Sequence, residues 1–569
     1  MDKSYPAIAR KYARDVLSGK IPACEWVKKA CQRQVDDLAR KDWEYRFDGK
    51  KAARVCKFIE MLPHIKGEWA LHRETITLQP FQVFILTTVF GWVSRETNLR
   101  RFRTAYIEMA RKNGKSTFSS GVALYCLVAD NEPGAEVYSA ATTRDQAKIV
   151  WQDGKAMVAR SPGLRTAFGV ATTAHSVVRT DDPASRFQAL CAEGETLDGL
   201  NIHCAIVDEL HAHPTRRVFD VITSALGSRR QPLVWNITTA GSNRSRICYE
   251  IRGYATKILD RLADNDTFFG IIYTLDNDDD WLDESLWIKS NPNLGISVKL
   301  DFLQSECSKA KTLPSAQNNF LTKHMSIWVN ADIALISSVA WNKGANPNLD
   351  PNDFKEELCW VGLDFAPRHD FAARVLLFRR EEEDGTHYYA FVRHWLSEAE
   401  VEESTNTQYQ GWALKGFITT NPGNQTDYRN IADDVVSLAE EGFRIQEVVC
   451  DPAAAQGTQI DINERTGITC VDLLPNVKNF SEPTKKLEAL VADGKFHHTG
   501  DPVLAWEISN IVGHYERKGT LFPTKENYAN KIDGAIAIII ALNRAMVGET
   551  KPKSIYDDPY NSEPIWIDV

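Results

Sequence analysis

The chain has 569 residues, enough for roughly two to four domains that each bury a core. Hydrophobic residues make up 43% and charged residues 25%, ordinary values for a folded protein, which excludes wholesale disorder. The formal net charge is −9 at pH 7, so any contact with nucleic acid must come from local basic patches and not from a global positive field.

The 11 cysteines are scattered singly, without a CxxC pair, which argues against a zinc ribbon or a disulfide framework. The N-terminal stretch has no apolar signal core, and the longest apolar run, residues 535–542, is too short to span a membrane. We therefore expect a cytoplasmic protein with no membrane partner.

The first half of the chain predicts helices followed by an α/β domain. Residues 1–65 carry apolar positions at three- and four-residue intervals, over 7–20 and 22–62, which is typical of amphipathic helices. In residues 66–275, short β-rich runs alternate with helical stretches, the pattern of a parallel sheet covered by helices.

The second half begins with an acidic, turn-rich stretch, residues 276–350, which we predict to be a linker region around one helical segment at 299–319. Residues 351–548 then show three successive strand-like runs followed by alternating helices and strands. This pattern predicts a second α/β domain whose early strands are antiparallel. Residues 549–569 form a polar tail by composition.

A candidate phosphate-binding loop, MARKNGKST, runs from Met109 to Thr117 between a predicted strand and a predicted helix. It fits the pattern GxxxxGK[ST] except that Met109 replaces the first glycine. Gly114 would turn backbone N–H groups toward phosphate, Lys115 would neutralise the β and γ oxygens, and Ser116 would bind Mg²⁺. The alternative interpretation is a lysine-rich turn before a helix.

Two carboxylates, Asp208 and Glu209, follow four apolar residues, as expected for a buried strand that brings acids to its C-terminal edge. In an ATPase, Asp208 would hold Mg²⁺ and Glu209 would polarise the attacking water. Such pairs are also common at strand ends, and only the phosphate loop upstream favours the functional interpretation. We interpret His211 and His213 as a solvated turn, because no further ligand completes a metal pattern.

Two weaker patterns lie where an ATPase needs them. Gln82, in LQPFQ, has an amide that can read an adenine edge, and Thr238 and Thr239 end the next predicted strand, where they can sense the γ-phosphate. Each pattern, taken alone, is better explained as a plain turn.

Three aspartates suggest a second site. Asp364 and Asp451 each end an apolar strand-like run, and Asp533 lies in the first turn of a closing helix with an apolar interior. Two acids at strand ends and one on a packed helix can converge to bind two divalent ions, as in phosphodiester cleavage. Each acid alone also fits turn initiation or a helix N-terminus, so only the combination favours a nuclease. Asp370 is a secondary candidate ligand.

In this order, the motifs resemble the large terminase subunit of tailed bacteriophages, in particular the branch typified by phage HK97, over nearly the whole chain. The resemblance rests on LQPFQ, MARKNGKST, AIVDELHAH and NITTAG in the first half. In the second half it rests on IWVN, GLDFA, VVCDPAA, GKFHHTGDPVLAWEISN and NKIDGAIAIIIALNRA. It implies a DNA-packaging motor in the α/β class, with an N-terminal P-loop ATPase domain of the ASCE type and a C-terminal RNase H-like nuclease domain.

The resemblance also implies residue roles. Glu209 matches the catalytic glutamate of the ATPase, and the nuclease triad that also binds metal matches Asp364, Asp451 and Asp533. The residues that match nucleotide-binding and Mg²⁺-binding positions are Gln82, Arg111, Asn113, Gly114, Lys115, Ser116, Thr117, Asp208, Thr238 and Thr239. Met109 departs from the general P-loop. Arg229 and Arg230 are candidates for an arginine finger acting in trans.

The implied cofactors are ATP, Mg²⁺ in the ATPase site, and two Mg²⁺ or Mn²⁺ ions in the nuclease site. The implied partners are double-stranded DNA, the small terminase subunit, the portal protein of the procapsid and further copies of this chain in a ring, with the host cytoplasm as location. Candidate DNA contacts bracket the stretch that leads into Asp533 and could flank the metal site, although solvated surface charge explains them equally well: Lys478, Lys485, Lys486, Arg517, Lys518, Lys525 and Lys531.

Two other functions share some of these motifs with the packaging motor. A helicase-nuclease of DNA metabolism would share the ATPase motifs, but the sequence lacks a second nucleotide-binding domain with its own motifs. A structural protein with degenerate motifs would have lost Lys115, Glu209 or one of the three aspartates, and all are present.

Overall fold

A computed structural model describes residues 4–142, 144–190, 199–213, 215–244, 246–329, 335–365, 370–404, 406, 408–515, 520–525 and 530–547. The chain divides into two compact units, Met1–Val329 and Asn330–Val569. The predicted tail at 549–569 and two of the candidate DNA contacts, Arg517 and Lys518, lie outside the described residues.

The first unit begins with five helices and a small antiparallel pair of strands, in the order α1 (Tyr5–Leu17), α2 (Glu25–Ala39), β1 (Tyr45–Phe47), α3 (Gly49–Glu60), α4 (Gly67–Leu71), α5 (Pro80–Gly91) and β2 (Trp92–Ser94). The stretch predicted as helical over 22–62 is thus interrupted by β1. The strand forms because its residues, Tyr45–Phe47, pair with the later strand β2. Helix α3 begins anew after it because the Asp48 side chain caps it, accepting from the backbone N–H groups of Lys50 and Lys51.

The central sheet of this unit has eight strands: β3 (Thr104–Glu108), β4 (Glu136–Ala140), β5 (Val170–Thr172), β6 (Val177–Arg179), β7 (Arg186–Ala189), β8 (Ile202–Asp208), β9 (Leu233–Thr238) and β10 (Phe268–Ile272). They lie in the order β10-β3-β9-β8-β4-β7-β6-β5, with parallel pairing from β10 to β7. The helices around it are α6 (Lys115–Val128), α7 (Arg144–Ala159), α8 (Pro162–Phe168), α9 (Arg217–Ser224) and α10 (Ile247–Leu259).

Because β3, β9 and β8 are parallel neighbours, their C-terminal ends meet at one edge of the sheet. The three strands are followed by the phosphate loop, by Thr239 and by Glu209 respectively. The early helices α1 to α3 and α5 share one hydrophobic core with this sheet.

Residues 276–329, assigned above to a linker region, are folded within the first unit. They form a 3-10 helix (Glu284–Lys289) and the helices α11 (Leu300–Thr312) and α12 (Pro314–His324) around a buried cluster that includes Trp287 and Phe320. Their acidic turns have structural partners: the Lys289 ammonium lies 3.0 Å from Asp276 and 2.7 Å from Asp279. A turn-rich composition therefore reflects capping and ion pairing here, and not a loose connection.

The second unit contains, in order, α13 (Ser338–Lys343), a 3-10 helix (Pro351–Phe354), β11 (Leu358–Asp364), β12 (Ala372–Glu382), β13 (Gly385–Ser397), α14 (Glu398–Glu403), α15 (Gln408–Leu414), β14 (Ile418–Asn421), α16 (Tyr428–Glu440) and β15 (Arg444–Cys450). It continues with α17 (Pro452–Thr466), β16 (Cys470–Asp472), α18 (Val477–Ala492), β17 (Phe496–His498), α19 (Pro502–Asn510), β18 (Ile511–Tyr515), β19 (Leu521–Lys525) and α20 (Asp533–Val547).

Its main sheet has the order β14-β13-β12-β11-β15-β16, with β17 paired to β13, while β18 and β19 form a separate hairpin. The early strands β11, β12 and β13 are antiparallel, as predicted, and β15 is parallel to β11. Helix α20 packs on β11 at very short range. A Cβ at Gly362 would lie 2.1 Å from the carbonyl oxygen of Ala537, so only glycine allows this approach.

Candidate active sites

The predicted phosphate loop connects β3 to α6 at the sheet edge described above. Gly114 caps α6 with φ +79°, a left-handed conformation that suits glycine, and Lys112 also has a positive φ, +68°. The N–H of Met109 donates to the carbonyl of Thr238 at 3.0 Å, which ties the loop to the end of β9. The loop therefore ends on the N-terminus of a helix, where backbone N–H groups and the helix dipole favour an anion.

Asn113 is buried inside this loop and uses its side chain to hold it. Its Nδ2 donates to the carbonyl of Ala110 at 3.1 Å and to Asn291 Oδ1 at 3.0 Å, and its Oδ1 accepts from the backbone N–H of Asn293 at 3.0 Å. The asparagines of the supposed linker therefore support the phosphate loop. Sequence reasoning missed them, because SNPNLG has only the composition of a turn.

Lys115 is buried, and its Nζ donates to the carbonyl oxygens of Met109 and Ala110, both at 3.2 Å. Burial lowers the pKa of this ammonium, while the carboxylates of Glu209 and Asp208 act in the opposite direction. The lysine is thus held over the loop, close to both predicted acids.

The two acids at the end of β8 have different environments. Burial and the charge of Glu209 raise the pKa of Asp208 to about 7. Burial also acts to raise the pKa of Glu209, but His211 and Lys115 outweigh it and lower that pKa to about 2. Glu209 has φ +50°, a strained conformation for a residue with a side chain, and strain of this kind is concentrated at functional sites.

His211 links these acids to the end of β9. Its Nδ1 lies 3.1 Å from Glu209 Oε2, 3.0 Å from Thr238 Oγ1 and 3.3 Å from Thr239 Oγ1. The interpretation of His211 and His213 as a solvated turn is wrong, because the 3-10 turn after β8 folds both rings inward. His213 is buried, which lowers its pKa to about 4.

A cavity of about 270 Å³ lies beside the phosphate loop. Its lining includes Trp69, Gln79, Gln82, Thr117 and Asn293. Gln82 Oε1 accepts from the backbone N–H of Gln79 at 2.9 Å, so the side chain is held at the start of α5. A larger cavity of about 670 Å³, near α2 and the end of α10, is lined by ion-paired side chains and by none of the predicted nucleotide-binding residues.

Arg229 is engaged far from the phosphate loop. Its guanidinium donates to the carbonyls of Pro133 at 2.9 Å and Gly134 at 2.6 Å, and it lies 3.3 Å from Glu132. These partners precede β4, at the N-terminal edge of the parallel strands and opposite to the phosphate loop. Its donors are used within its own unit, which argues against Arg229 as an arginine finger.

The three predicted nuclease aspartates lie on neighbouring elements of the second unit. Asp364 and Asp451 follow the paired residues Leu363 and Cys450 on the parallel strands β11 and β15, and Asp533 begins α20. Burial raises the pKa of Asp364 well above its usual range, helped by the charges of Asp533, Glu507, Asp451 and Asp370. Burial likewise raises the pKa of Asp533 to about 7, with the carboxylates of Glu507 and Asp370 adding to it.

Two lysines face this carboxylate cluster. The Lys531 ammonium contacts the Asp370 carboxylate, and Lys525 Nζ lies 3.9 Å from Asp370 Oδ2. Lys531 is buried, so it balances charge inside the site and is not available for the DNA contact predicted from the sequence.

Sequence reasoning missed Glu507 in this cluster. It lies on α19, with its carboxylate fully buried and 3.0 Å from Nε2 of the buried His394. The signal was available, since an acidic residue between Trp506 and Ile508 is out of place in an apolar helix unless it has a partner.

The donor set fits divalent cations. Asp533 Oδ2 and Glu507 Oε1 are buried and have no hydrogen-bond partner among the described residues. Four carboxylates act on that of Asp364, whereas two lysines, Lys525 and Lys531, lie beside Asp370. Clustered carboxylate oxygens are the ligands that Mg²⁺ and Mn²⁺ prefer, and such ions would balance the excess negative charge.

A parallel sheet with a phosphate loop and two acids at one edge, together with a second sheet that carries a carboxylate cluster, defines an ATPase joined to a metal-dependent nuclease. Family models agree with this division. Residues 80–257 match the ATPase domain of the terminase large subunit, and residues 262–549, just over half the chain, match its endonuclease domain. The chain therefore belongs to the terminase large subunit family, and the packaging ATPase and endonuclease activities follow from this membership.

Individual relatives extend the match over most of the chain. Protein YmfN of Escherichia coli (strain K12) is 37% identical over 362 residues, which cover 62% of this chain and 79% of that protein. The terminase large subunit of Enterobacteria phage HK97 is 26% identical over 526 residues, covering 89% of this chain and 98% of its own. The crystal structure of the HK97 bacteriophage large terminase aligns with 87% of this chain and 99% of its own, with a TM-score of 0.43 and 25% identity. Among the described residues, no helix is long and apolar enough to cross a membrane.

Proposed function

We propose that the first unit binds and hydrolyses ATP at the edge where β3, β8 and β9 end. Lys115 neutralises the β and γ phosphates, Ser116 and Asp208 hold Mg²⁺, and Glu209 polarises the attacking water. One observation carries this proposal: the buried lysine of the loop and both carboxylates share the same sheet edge and act on one another electrostatically. Mg²⁺ supplies charge stabilisation to the phosphates as they react.

The rest of the nucleotide site is assigned to residues around the loop. Gln82 and the cavity beside it take the adenine base, and Thr238 and Thr239 sense the γ-phosphate through His211. The loop residues that contact the phosphates are Arg111, Asn113, Gly114 and Thr117. The contacts of His211 with Glu209 and with both threonines support a direct link between hydrolysis and the end of β9.

We propose that Asp364, Asp451 and Asp533 hold two Mg²⁺ or Mn²⁺ ions in the second unit. The ions supply an activated water and stabilise the leaving oxygen when a phosphodiester bond is cleaved. The chain's own contribution is to place these carboxylates at the ends of the neighbouring strands β11 and β15 and at the start of helix α20, which packs on β11. Lys531 and Lys525 offset part of the negative charge through Asp370.

The family supports the proposed partners. The DNA is double-stranded and viral. The ATPase domain, proposed as residues 66–275, hydrolyses ATP and translocates this DNA into a procapsid, and the nuclease domain, proposed as residues 351–548, cuts it. The further partners are the small terminase subunit, the portal protein and copies of this chain in a ring, in the cytoplasm of a bacterial host.

The ATPase assignment is tested with Glu209→Gln, compared with Glu250→Gln, which removes an exposed glutamate of the same unit. An amide keeps the shape of Glu209 but cannot polarise water, so we expect hydrolysis to fall by about 10²–10⁴-fold while ATP affinity stays within about threefold. Steady-state hydrolysis and binding of a fluorescent ATP analogue measure the two effects. Loss of ATP binding in Glu209→Gln would make this residue structural.

A further inference from the structure

Glu507 is a fourth carboxylate at the proposed nuclease site. Glu507 is completely buried on α19. Apart from burial, its charge is the largest influence that raises the pKa of Asp533. It also raises the pKa of Asp364. Its Oε2 lies 2.9 Å from the backbone N of Gly534, the residue after Asp533, so the carboxylate lies beside the first turn of α20.

One oxygen of Glu507 is held firmly in place. Oε2 accepts from the backbone N–H of Gly534 at 2.9 Å and lies 3.0 Å from His394 Nε2, which must carry the proton because a carboxylate only accepts. A Cβ at position 534 would lie 2.3 Å from Glu507 Oε2 and 2.7 Å from His394 Nε2. Only glycine after Asp533 leaves room for this pair against the first turn of α20.

The other oxygen is left open. Glu507 Oε1 is buried without a hydrogen-bond partner in the described part of the chain, and the same holds for Asp533 Oδ2, one residue away from Gly534. Leaving a buried carboxylate oxygen without a partner is costly. Two such oxygens beside the first turn of α20 are expected where a cation completes their contacts.

We propose that Glu507 is a further ligand of the divalent ions in the nuclease site, binding through Oε1, and that His394 is the residue that positions it. This inference rests on the proposed nuclease function, because it extends the same site. The ligand class is a hard divalent cation, Mg²⁺ or Mn²⁺.

A purely structural role makes the opposite predictions. If the Glu507–His394 pair only stabilises the fold, neutralising Glu507 destabilises the metal-free protein and leaves metal binding unchanged. If Glu507 is a ligand, neutralising it weakens metal binding, whatever the lost contact with His394 does to the stability of the metal-free protein.

The experiment uses the full chain and Mn²⁺ alone as the probe, with isothermal titration and thermal unfolding as readouts. Four proteins are compared: wild type, Glu507→Gln, Asp451→Asn, and the control Glu482→Gln, which removes an exposed glutamate on α18. For Glu507→Gln we expect Mn²⁺ affinity to fall by about 10–100-fold and the Mn²⁺-induced rise in Tm to shrink, with Glu482→Gln unchanged.

The outcomes separate the two proposals. Unchanged Mn²⁺ binding in Glu507→Gln, with weakened binding in Asp451→Asn, overturns the role of Glu507 alone. Unchanged binding in both variants overturns the nuclease metal site itself.

Two further measurements keep the proposal falsifiable if Glu507→Gln does not fold. Wild-type crystals soaked in Mn²⁺ should show an anomalous peak about 2.0–2.6 Å from Glu507 Oε1, and peaks that contact only the aspartates would overturn the assignment. His394→Gln retains an N–H donor for Glu507, so it should keep more Mn²⁺ affinity than His394→Ala. Equal affinities in these two variants would remove the positioning role.

Discussion

At the scale of single residues, the clearest consequence of the fold is the cost of burying several carboxylates together. The pKa of Asp533 is raised to about 7, chiefly by burial and by Glu507, whereas an aspartate in an unfolded chain titrates near 3.9. Between about pH 4 and pH 7, the folded protein therefore keeps a proton on Asp533 that the unfolded chain has already released. Stability falls as the pH rises through that window and stays low above it.

Asp533→Asn removes this charge and keeps the shape of the side chain. We expect it to raise the free energy of unfolding of the metal-free protein at pH 8, by up to about 4 kcal/mol, and by much less at pH 5. Urea unfolding with a chelator at the two pH values measures the difference. Asp433→Asn, which removes an exposed aspartate on α16, is the control and should show no such pH dependence. Equal destabilisation at both pH values would mean that the Asp533 carboxylate is needed for packing.

The sequence predicted the residues that end strands and missed those that act through a partner. Asp364 and Asp451 were identifiable because parallel strands deliver their ends to one edge. His211 and Glu507 were not, because their roles depend on contacts with residues 27 and 113 positions away. No spacing rule encodes such contacts, although a glutamate inside an apolar helix was a usable warning.

At the scale of elements, the nuclease site depends on how closely α20 approaches β11. A Cβ at Gly362 would meet the carbonyl oxygen of Ala537 at 2.1 Å, a backbone atom that cannot rotate away. Gly362→Ala should push the helix off the strand and destabilise the second unit by about 1–3 kcal/mol or more. It should also weaken metal-dependent cleavage, because Asp533 moves with α20, while ATP hydrolysis is retained.

Gly411→Ala on α15 is the matched control, since a Cβ there meets nothing within 4 Å. It should be neutral or stabilising by up to about 1 kcal/mol, because alanine favours a helix. Chemical unfolding and plasmid cleavage distinguish the two variants. Wild-type stability and cleavage in Gly362→Ala would show that the close contact does not hold the site together.

Element boundaries were predicted well where periodicity was strong and poorly where aromatic residues or turns intervened. The apolar interior of α20 was evident from the sequence, and Asp533 lies in its first turn, as predicted. Residues 276–329 were taken for a linker because acidic turns dominate them. Their packing around Trp287, and their support of Asn113 in the phosphate loop, arise from tertiary contacts that composition does not report.

At the scale of the whole molecule, a chain of net charge −9 must concentrate positive charge where it binds DNA. Lys485 and Lys486 on α18 remain candidates. Lys485 is partly exposed and pairs with Glu482 at 3.0 Å, a surface ion pair of little energetic weight. Replacing both lysines with alanine should weaken DNA binding and reduce its salt dependence by about two phosphate contacts.

Binding to duplex DNA over a series of salt concentrations measures this slope. Lys309→Ala with Lys311→Ala, which removes two lysines from α11 of the first unit, is the control. If the control pair flattens the slope and the α18 pair does not, the DNA track lies on the first unit and the α18 lysines are ordinary surface charge.

The central claim is that one chain carries two separate catalytic sites, and parallel ATPase and nuclease assays of Lys115→Ala and Asp451→Asn test it most directly. Lys115→Ala should abolish ATP hydrolysis and leave Mn²⁺-dependent plasmid cleavage at the wild-type rate, because the lysine charge acts on phosphates bound in the first unit. Asp451→Asn should show the reverse, because only the charge that holds the metal ions is lost. ATP hydrolysis at the wild-type rate in Lys115→Ala, or cleavage at the wild-type rate in Asp451→Asn, would contradict the assignment of the corresponding site.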